Sequence, residues 1–522
     1  MLTYLAERYK QKRSDLTTER MLRLFMYDLV VMDKLYDVLQ YSFHVETKPG
    51  VNIATEAKYI PLRERRPSAP LNICKVVVDS CASLLFGENH FPQIHVEDET
   101  TRKVIKRLDK VLNFKKIFED AVKYGSIGSV AILVGVIDGQ PFVKPKKTIY
   151  LTPEFDNEKT KNLVRVVEKY QTTGRCLRTI GYKIADDELD TSFWFQCEWT
   201  TEKEIYYIPW KAEYKYTSAT KKKQNELEKG PVVDNERSVT HGLGFVPIVW
   251  VQNLPGGEMI DGLCTFSSAI ETMIERDYLM SQGARGLRYS CDPLLLIKGD
   301  NLQLEEPYLK SADNALTVPK DGDAKLLEIT GGAVDALEKF AKVLREQSLE
   351  AIHGNRSDSN KLSVAQSGRA MEMMNQDLIW LCETLRNCYG DLGLTKVIEM
   401  LLKIADTTTI LVKGKSIGPI KSDEDVVLIW PSWYAPTPDD MQKTSLAINM
   451  FRQSGVLSKE TAIRNIAPMF DIEDIGAEVE DIESDSDLDN PLPDAKTGGV
   501  ETPSKAVKTI KPEANDDRAD KQ

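Results

Sequence analysis

Nothing in this chain approaches the ~18 consecutive apolar residues that a membrane span needs; the longest apolar run, Val130 to Ile137, is strand-sized. No membrane association is therefore expected. The start, Met1-Leu2-Thr3-Tyr4-Leu5-Ala6-Glu7-Arg8, lacks the basic-then-apolar layout of a signal peptide, which predicts synthesis and use in the cytosol. Histidine is scarce, with 5 residues in isolated positions. A structural metal site needs about four clustered ligands, so no metal is expected. The 8 cysteines stand in apolar contexts without a Cys-x-x-Cys pair and read as reduced core residues. Cys74 and Cys81, seven apart on one helix face, have the spacing of packing.

Positive charge is also in short supply. The formal net charge is −12, whereas proteins that grip nucleic acid concentrate cations on one face and neutralise ~6–10 phosphates. Arg63-Arg65-Arg66, Lys144-Lys146-Lys147 and Lys221-Lys222-Lys223 are short, far apart in sequence, and read as solvated surface features.

Catalytic signatures are missing too. Gly414-Lys415-Ser416 matches the end of a phosphate-binding loop, but the earlier glycine that loop requires is replaced by Thr409. Ile417-Gly418-Pro419 cannot open the helix whose dipole would hold the phosphate. Gly242-Leu243-Gly244 runs into a strand-like Phe245-Val246-Pro247, and no Gly-x-Ser-x-Gly elbow exists. Carboxylates abound without a recognisable acid/base or two-metal spacing. The reading is non-enzymatic, with no cofactor.

What is present is organised in blocks. A chain of 522 residues exceeds the ~250–300 at which single cores stop growing, so several substructures are expected. Residues 1–130 read mainly as helices, with Met21, Leu24, Phe25, Tyr27, Val31, Leu35 and Val38 near a 3.6 period. From Val130 to Trp250 the period becomes two. Phe193, Phe195, Cys197 and Trp199 share one face opposite Trp194, Gln196 and Glu198, which predicts one dominant buried face. Asp138-Gly139 between apolar runs predicts a hairpin, and the block as a whole an antiparallel meander.

Helix returns over Asp261–Tyr289, with Phe266, Ile270, Met273, Ile274 and Tyr278 on one stripe, and Gly283, Ala284 and Gly286 permit close approach by another chain. Short strands come next, over 293–330. A second helix then carries Val334, Leu337, Ala341, Leu344, Ser348 and Ile352 on one face. After it lie a Gly/Asn/Ser hinge, His353 to Ser363, and a longer helix from Ser367 with a heptad seam Met371, Met374, Leu378, Leu381, Leu385, Cys388, Leu392. From Asp471 to Asn490 ten of twenty residues are acidic and none is basic, and the Pro/Gly/Lys/Asp tail beyond has too little apolar surface to offset its ordering entropy.

Several of these segments resemble one family. Ser367-Gly368-Arg369-Ala370 after the hinge looks like the Ser-Gly-x-Ala signature of tailed-bacteriophage portal proteins of the siphovirus type. In the same order as in that family come Leu71–Asp79 with Leu84–Glu88, then Gly244–Val249, then Trp430-Pro431, then Gly455–Thr461 with Glu478. The likeness spans roughly residues 70 to 482. It implies an α+β portal fold: a helix-rich wing with an antiparallel meander (1–260), stem helix 1 (261–291), a small α/β clip (292–330) and stem helix 2 (331–352). A tunnel loop (353–363), a long helix returning to the wing (364–433) and a helical crown (434–482) complete it, and composition adds a disordered acidic tail (483–522).

The resemblance further implies a homo-oligomeric ring of 12 subunits at a capsid vertex, within the virion and assembled in the host cytoplasm. Its partners would be the terminase large subunit, the head–tail adaptor, the major capsid and scaffolding proteins, and double-stranded DNA passing through the channel. The alternative from another class is a head-morphogenesis enzyme, a nuclease or ATPase acting on the same DNA. Under the portal reading His353, Asn355, Arg356, Ser357, Asn360 and Lys361 touch DNA, and Leu302, Leu304, Tyr308 and Leu309 dock partners at the clip. The stem stripe Phe266, Ile270, Met273, Leu337, Ala341 and Leu344 is expected to be covered by adjacent subunits, so that Leu344→Asp abolishes rings yet leaves soluble chains.

Overall fold

The computed structural model describes residues 18–33, 70–156, 162–212, 231–257, 260–291, 294–298, 323–327, 332–354, 372–373, 375–412, 415–417, 425–434, 438–466 and 482. The chain divides into two compact units, Met1–Thr437 and Pro438–Gln522.

Among the described residues the first unit begins with four helices, α1 (Thr18–Val30), α2 (Ile73–Phe86), α3 (Glu99–Leu112) and α4 (Phe114–Gly125), with the short strand β1 (Gln93–His95) between α2 and α3. Their ends are set by side chains that satisfy otherwise orphaned backbone N–H groups. Asn72 accepts from the Lys75 amide at 3.1 Å, and Asp98 from the Thr101 amide at 2.7 Å. Asn113, at φ 58°, stops α3 in the left-handed region and caps α4 in turn. Asparagine tolerates that backbone region where most residues do not.

Strands β2 (Ser129–Ile137) and β3 (Gln140–Lys147) form the hairpin foreseen at Asp138-Gly139, with positive φ at both turn residues, and β10 (Ile248–Gln252) pairs on the far side of β2. A larger antiparallel sheet holds β4 (Leu151–Phe155), β5 (Leu163–Thr173), β6 (Ser192–Thr200), β7 (Lys203–Tyr206) and β9 (Val239–Thr240) in that order, with β8 (Trp210–Lys211) also on β6. A one-turn helix, α5 (Gly174–Thr179), links β5 to β6. Strand β2 serves two cores. Val130, Ile132 and Val134 join the helical core, whereas Ala131 and Leu133 join the core of the larger sheet, as period-two alternation requires.

Strand β6 departs from the one-faced reading, because residues 193–199 are all buried. The polar face is closed by an internal network. Glu198 accepts from Arg165 Nη2 at 2.7 Å, Gln196 Nε2 at 2.9 Å and the Tyr207 hydroxyl at 2.8 Å, and Lys169 lies 4.8 Å over Trp194. A carboxylate with that many donors can leave water. The Lys144-Lys146-Lys147 run is likewise not simply solvated. Lys146 pairs with Glu168 at 2.6 Å above Trp199, and Lys147 sits 4.6 Å over the Tyr27 ring. The other two basic runs lie outside the described residues.

Two long helices come next, α6 (Ile270–Cys291) and α7 (Gly332–Ala351), packed on each other and joined through an antiparallel strand pair, β11 (Leu294–Lys298) with β12 (Asp323–Leu327). The return path is α8 (Gln376–Leu385), a π-helix at Arg386–Leu394 and α9 (Thr395–Thr407). Three short strands close the unit: β13 (Ile410–Val412), β14 (Lys415–Ile417) and β15 (Val427–Ile429), the last pairing with β1. Lys415 and Ser416 sit in a hairpin strand, not at a helix N-terminus.

The π-helix corrects the continuous heptad. Its i→i+5 bonding adds a residue per turn and rotates the helix beyond it. Leu378, Leu381 and Leu385 are buried as the seam requires, but Leu392 is 55% exposed, while Tyr389 and Leu394 are buried in its place. Met371, Met374 and the Ser367–Ala370 motif lie outside the described residues. In the second unit, α10 (Pro438–Gln453) and α11 (Lys459–Ile466) meet across a turn at Gly455, φ 72°, and Ser458 caps α11 by accepting the Thr461 amide at 3.2 Å.

Candidate functional site

At ~1.5 Å per residue, α6 with 22 residues and α7 with 20 form a paired hairpin roughly 30 Å long. Its root is built from side chains brought together from across the first unit. Helix starts later than the sequence pattern implied: 261–266 is irregular, a 3-10 turn occupies Ser267–Ala269, and α6 begins at Ile270. The cause is a set of backbone bonds that hold this segment extended against the sheet. Gly262 N–H donates to Gly128 O at 2.9 Å, Leu263 N–H to Leu254 O at 2.9 Å and Thr265 N–H to Ser126 O at 2.9 Å. Asp261 is tied to Arg23 and to the Ser129 hydroxyl.

Asn253 is the centre of this root. Its Nδ2 donates to Leu263 O and Thr265 Oγ1, both at 2.8 Å, and its Oδ1 accepts the Tyr389 hydroxyl at 2.9 Å. One amide therefore joins the end of β10, the segment entering the stem and the π-helix. Burial holds the Tyr389 phenol well above its ordinary pKa, so it stays a donor. A Cβ on Gly125 would collide with the Tyr389 ring, which explains the glycine at the end of α4. Neither Asn253 nor Tyr389 carried a signal in the sequence, because their partners are distant along the chain.

Phe266, Ile270 and Met273, placed on the stem stripe from sequence, are buried in the helical core of the same chain. Met273 Sδ lies 3.8 Å from Cys74 Sγ on α2. Ala341 and Leu344 are buried as well, with Leu337 half-buried beside Gly283, whose added Cβ would stand 2.5 Å from Leu337 Cδ2. At Gly283 the close approach is made by α7 of this chain, and Phe266, Ile270, Met273, Ala341 and Leu344 are buried within the one subunit. Higher on the hairpin the buried face turns polar. Asp277, Ser281 and Ser348 are fully buried, with Asp277 accepting the Leu71 amide at 3.1 Å and Arg276 Nη1 at 2.7 Å. The two serine hydroxyls return to carbonyls of their own helices.

The other end of α7 is fixed just as firmly. His353 at φ 55° and Gly354 close it in a Schellman motif, the Gly354 amide donating to Leu349 O at 2.7 Å and the His353 amide to Glu350 O at 3.4 Å. Ser268 Oγ donates to Ala351 O at 2.8 Å, and Gly354 packs between Leu349 and Val77. His353 is therefore an exposed capping residue at the mouth of the hinge. Asn355, Arg356, Ser357, Asn360 and Lys361 lie outside the described residues, as do Leu302, Leu304, Tyr308 and Leu309 of the clip. The far side of the hinge is anchored at Asn375, buried, with Nδ2 donating to the Tyr434 hydroxyl at 2.8 Å.

At the same level Arg386 opens the π-helix, its guanidinium 3.3 Å from the Trp433 ring centroid and 4.8 Å from that of Trp430, its Nη2 donating to Pro431 O at 3.2 Å. Burial lowers its pKa to about 10. The Trp430-Pro431 pair thus has a physical task, enclosing a cation with aromatic faces. Among the described residues no group of His, Cys, Asp and Glu could hold a metal ion, and no helix is long and apolar enough to cross a membrane.

This assembly is a fold-spanning one, and its motifs run almost the length of the chain. The family described as phage portal protein, SPP1 Gp6-like, matches residues 30–491. The chain belongs to that phage portal family. The match is wider at both ends than the stretch from 70 to 482 that carried the resemblance. Membership makes this a structural protein of the phage capsid, acting in DNA packaging. No individual curated protein matches the chain.

The base of α6 also sets an alkaline limit. Burial raises the Cys74 and Cys264 thiols from 9.0 to about 12. The folded state keeps both neutral where the unfolded state ionises. Their contribution is complete below pH 9 and is lost as pH rises toward 12, at up to ~1.4 kcal/mol per pH unit for each thiol. The melting temperature is expected to fall steeply above pH 9, less so in a Cys74→Ala Cys264→Ala protein. Parallel pH profiles for the two proteins would contradict this.

Proposed function

We propose that the chain is the ring subunit of a portal at one capsid vertex, forming a ring of 12 copies that conducts double-stranded DNA during packaging and ejection. The ring docks the terminase large subunit while the capsid fills and the head–tail adaptor afterwards, and it assembles with the major capsid and scaffolding proteins. It does no chemistry of its own. The observation that carries this reading is the α6–α7 hairpin, rooted in the helical core and ending in a firmly capped helix from which the Asn355–Lys361 segment departs.

That segment has the composition a sliding contact needs. Its Asn and Ser residues favour turn conformations over a fixed helix or strand. Arg356 and Lys361 offer one or two screened phosphate contacts per subunit, partly offset by Asp358. Rings in negative-stain images of purified protein, with neither ATPase nor nuclease activity, separate this reading from a head-morphogenesis enzyme. Capsids carrying Arg356→Glu with Lys361→Glu are expected to assemble normally and to hold less DNA; wild-type DNA content would remove the segment from the mechanism. Deleting 301–311 is expected to leave the protein folded and to abolish terminase or adaptor binding, and normal packaging by that deletion would refute the clip's docking role.

A further inference from the structure

The two flanks of the α6–α7 hairpin are unlike each other. On one, a groove of about 490 Å³ runs between the helices, with Met280 and Ala341 in its floor. Lys339, Lys342 and Arg345 line it together with Arg276, which is paired with Asp277 at 2.7 Å, against Asp335 and Glu338, so four cations and three carboxylates leave a charge of +1. Among the described residues Lys339, Lys342 and Arg345 take part in no ion pair, although they recur at three-residue steps on one face.

Outside the groove α7 carries the opposite character. Phe340 is 52% exposed and Val343 44% exposed, three residues apart and therefore neighbours on the helix surface. Glu346, one turn further on, is exposed, and so are Glu271 and Glu275 on α6. One side of the hairpin is thus a cationic groove lined by Met280 and Ala341, and outside it α7 exposes Phe340 and Val343 with Glu346 and Glu350, while α6 exposes Glu271 and Glu275. Such a surface is not self-complementary. Copies that match it pairwise do so head to tail, the arrangement that closes into a ring.

We propose that the Arg276–Lys339–Lys342–Arg345 groove of one stem receives the Phe340–Val343 edge of the neighbouring copy's stem. Glu271, Glu275 and Glu346 of that copy supply the counter-charge. The proposal rests on the ring reading above and names the contact that closes it. A second copy fits better than DNA phosphates, because phosphates make no use of an apolar floor and a charge of +1 is small for a surface that holds a duplex. Withdrawing an exposed phenylalanine from water onto such a floor is, by contrast, favourable.

Full-length protein carrying Met280→Cys and Phe340→Cys, oxidised after ring assembly, is expected to give a ladder of covalent oligomers extending beyond the dimer, absent from wild type treated identically. Phe340→Ser is expected to lower ring yield by about tenfold or more with an unchanged melting temperature, since the phenyl group is already half in water. Wild type that forms no rings would defeat the portal reading itself. Rings without a ladder, together with normal ring yield for Phe340→Ser, would overturn the groove contact alone. Lys339→Glu with Lys342→Glu that leaves ring yield intact and lowers the DNA content of capsids would assign the groove to DNA and likewise overturn it.

Discussion

Leu344→Asp is expected to unfold the stem, lowering stability by about 3–5 kcal/mol, the range found when a buried position receives an unpaired charge. Leu344 lies on the α7 face turned to α6, with Ala341 and Ser348 one turn to either side, and all three are buried within one chain. Loss of rings then results from loss of the hairpin, not from loss of a contact between subunits. Limited proteolysis of the stem and calorimetry distinguish the two cases. Soluble Leu344→Asp protein that melts at the wild-type temperature yet forms no rings would return Leu344 to a surface between subunits. Phe340→Ser provides the contrast, because that side chain is half exposed on the same helix.

Asn253→Ala is expected to cost about 3 kcal/mol or more, because several buried groups lose partners together. The Leu263 carbonyl, the Thr265 hydroxyl and the Tyr389 hydroxyl each bond to this one amide. A missing partner for a fully buried phenol is costly, since no water replaces it. Tyr389→Phe removes one bond of the set and is expected to cost about 1–2 kcal/mol. The double variant should fall well short of the summed losses, because the two residues share a bond. Denaturant titration of the three proteins measures this. Additive losses would show that Asn253 and Tyr389 act separately, and that the sheet, the stem entry and the π-helix are not joined through this node.

Much of the molecule was legible residue by residue. The Asp138-Gly139 hairpin, the antiparallel meander, and the two long helices around a small strand unit all depend on local spacing and turn chemistry. Those are properties of neighbours in the chain. The family, too, could be recognised from short motifs in order, because that order is itself a sequence property.

Tertiary structure decided the rest. Whether the stripe from Phe266 to Leu344 faced a neighbouring subunit or its own core could not be read from periodicity, which identifies an apolar face but not its occupant. The packing of α2 against Met273, and of Gly283 against Leu337, determined that. Trp194, Gln196 and Glu198 looked solvent-facing until Arg165, Tyr207 and Lys169 arrived from other strands to satisfy them. Leu392 looked like a seam residue until the π-helix turned it outward. The Asn253–Tyr389 bond spans 136 positions, so neither residue stood out alone. Sequence by itself determined which faces are apolar, where the chain turns and which family it joins. Only the fold determined what each face meets, because that depends on groups the chain brings together from far apart.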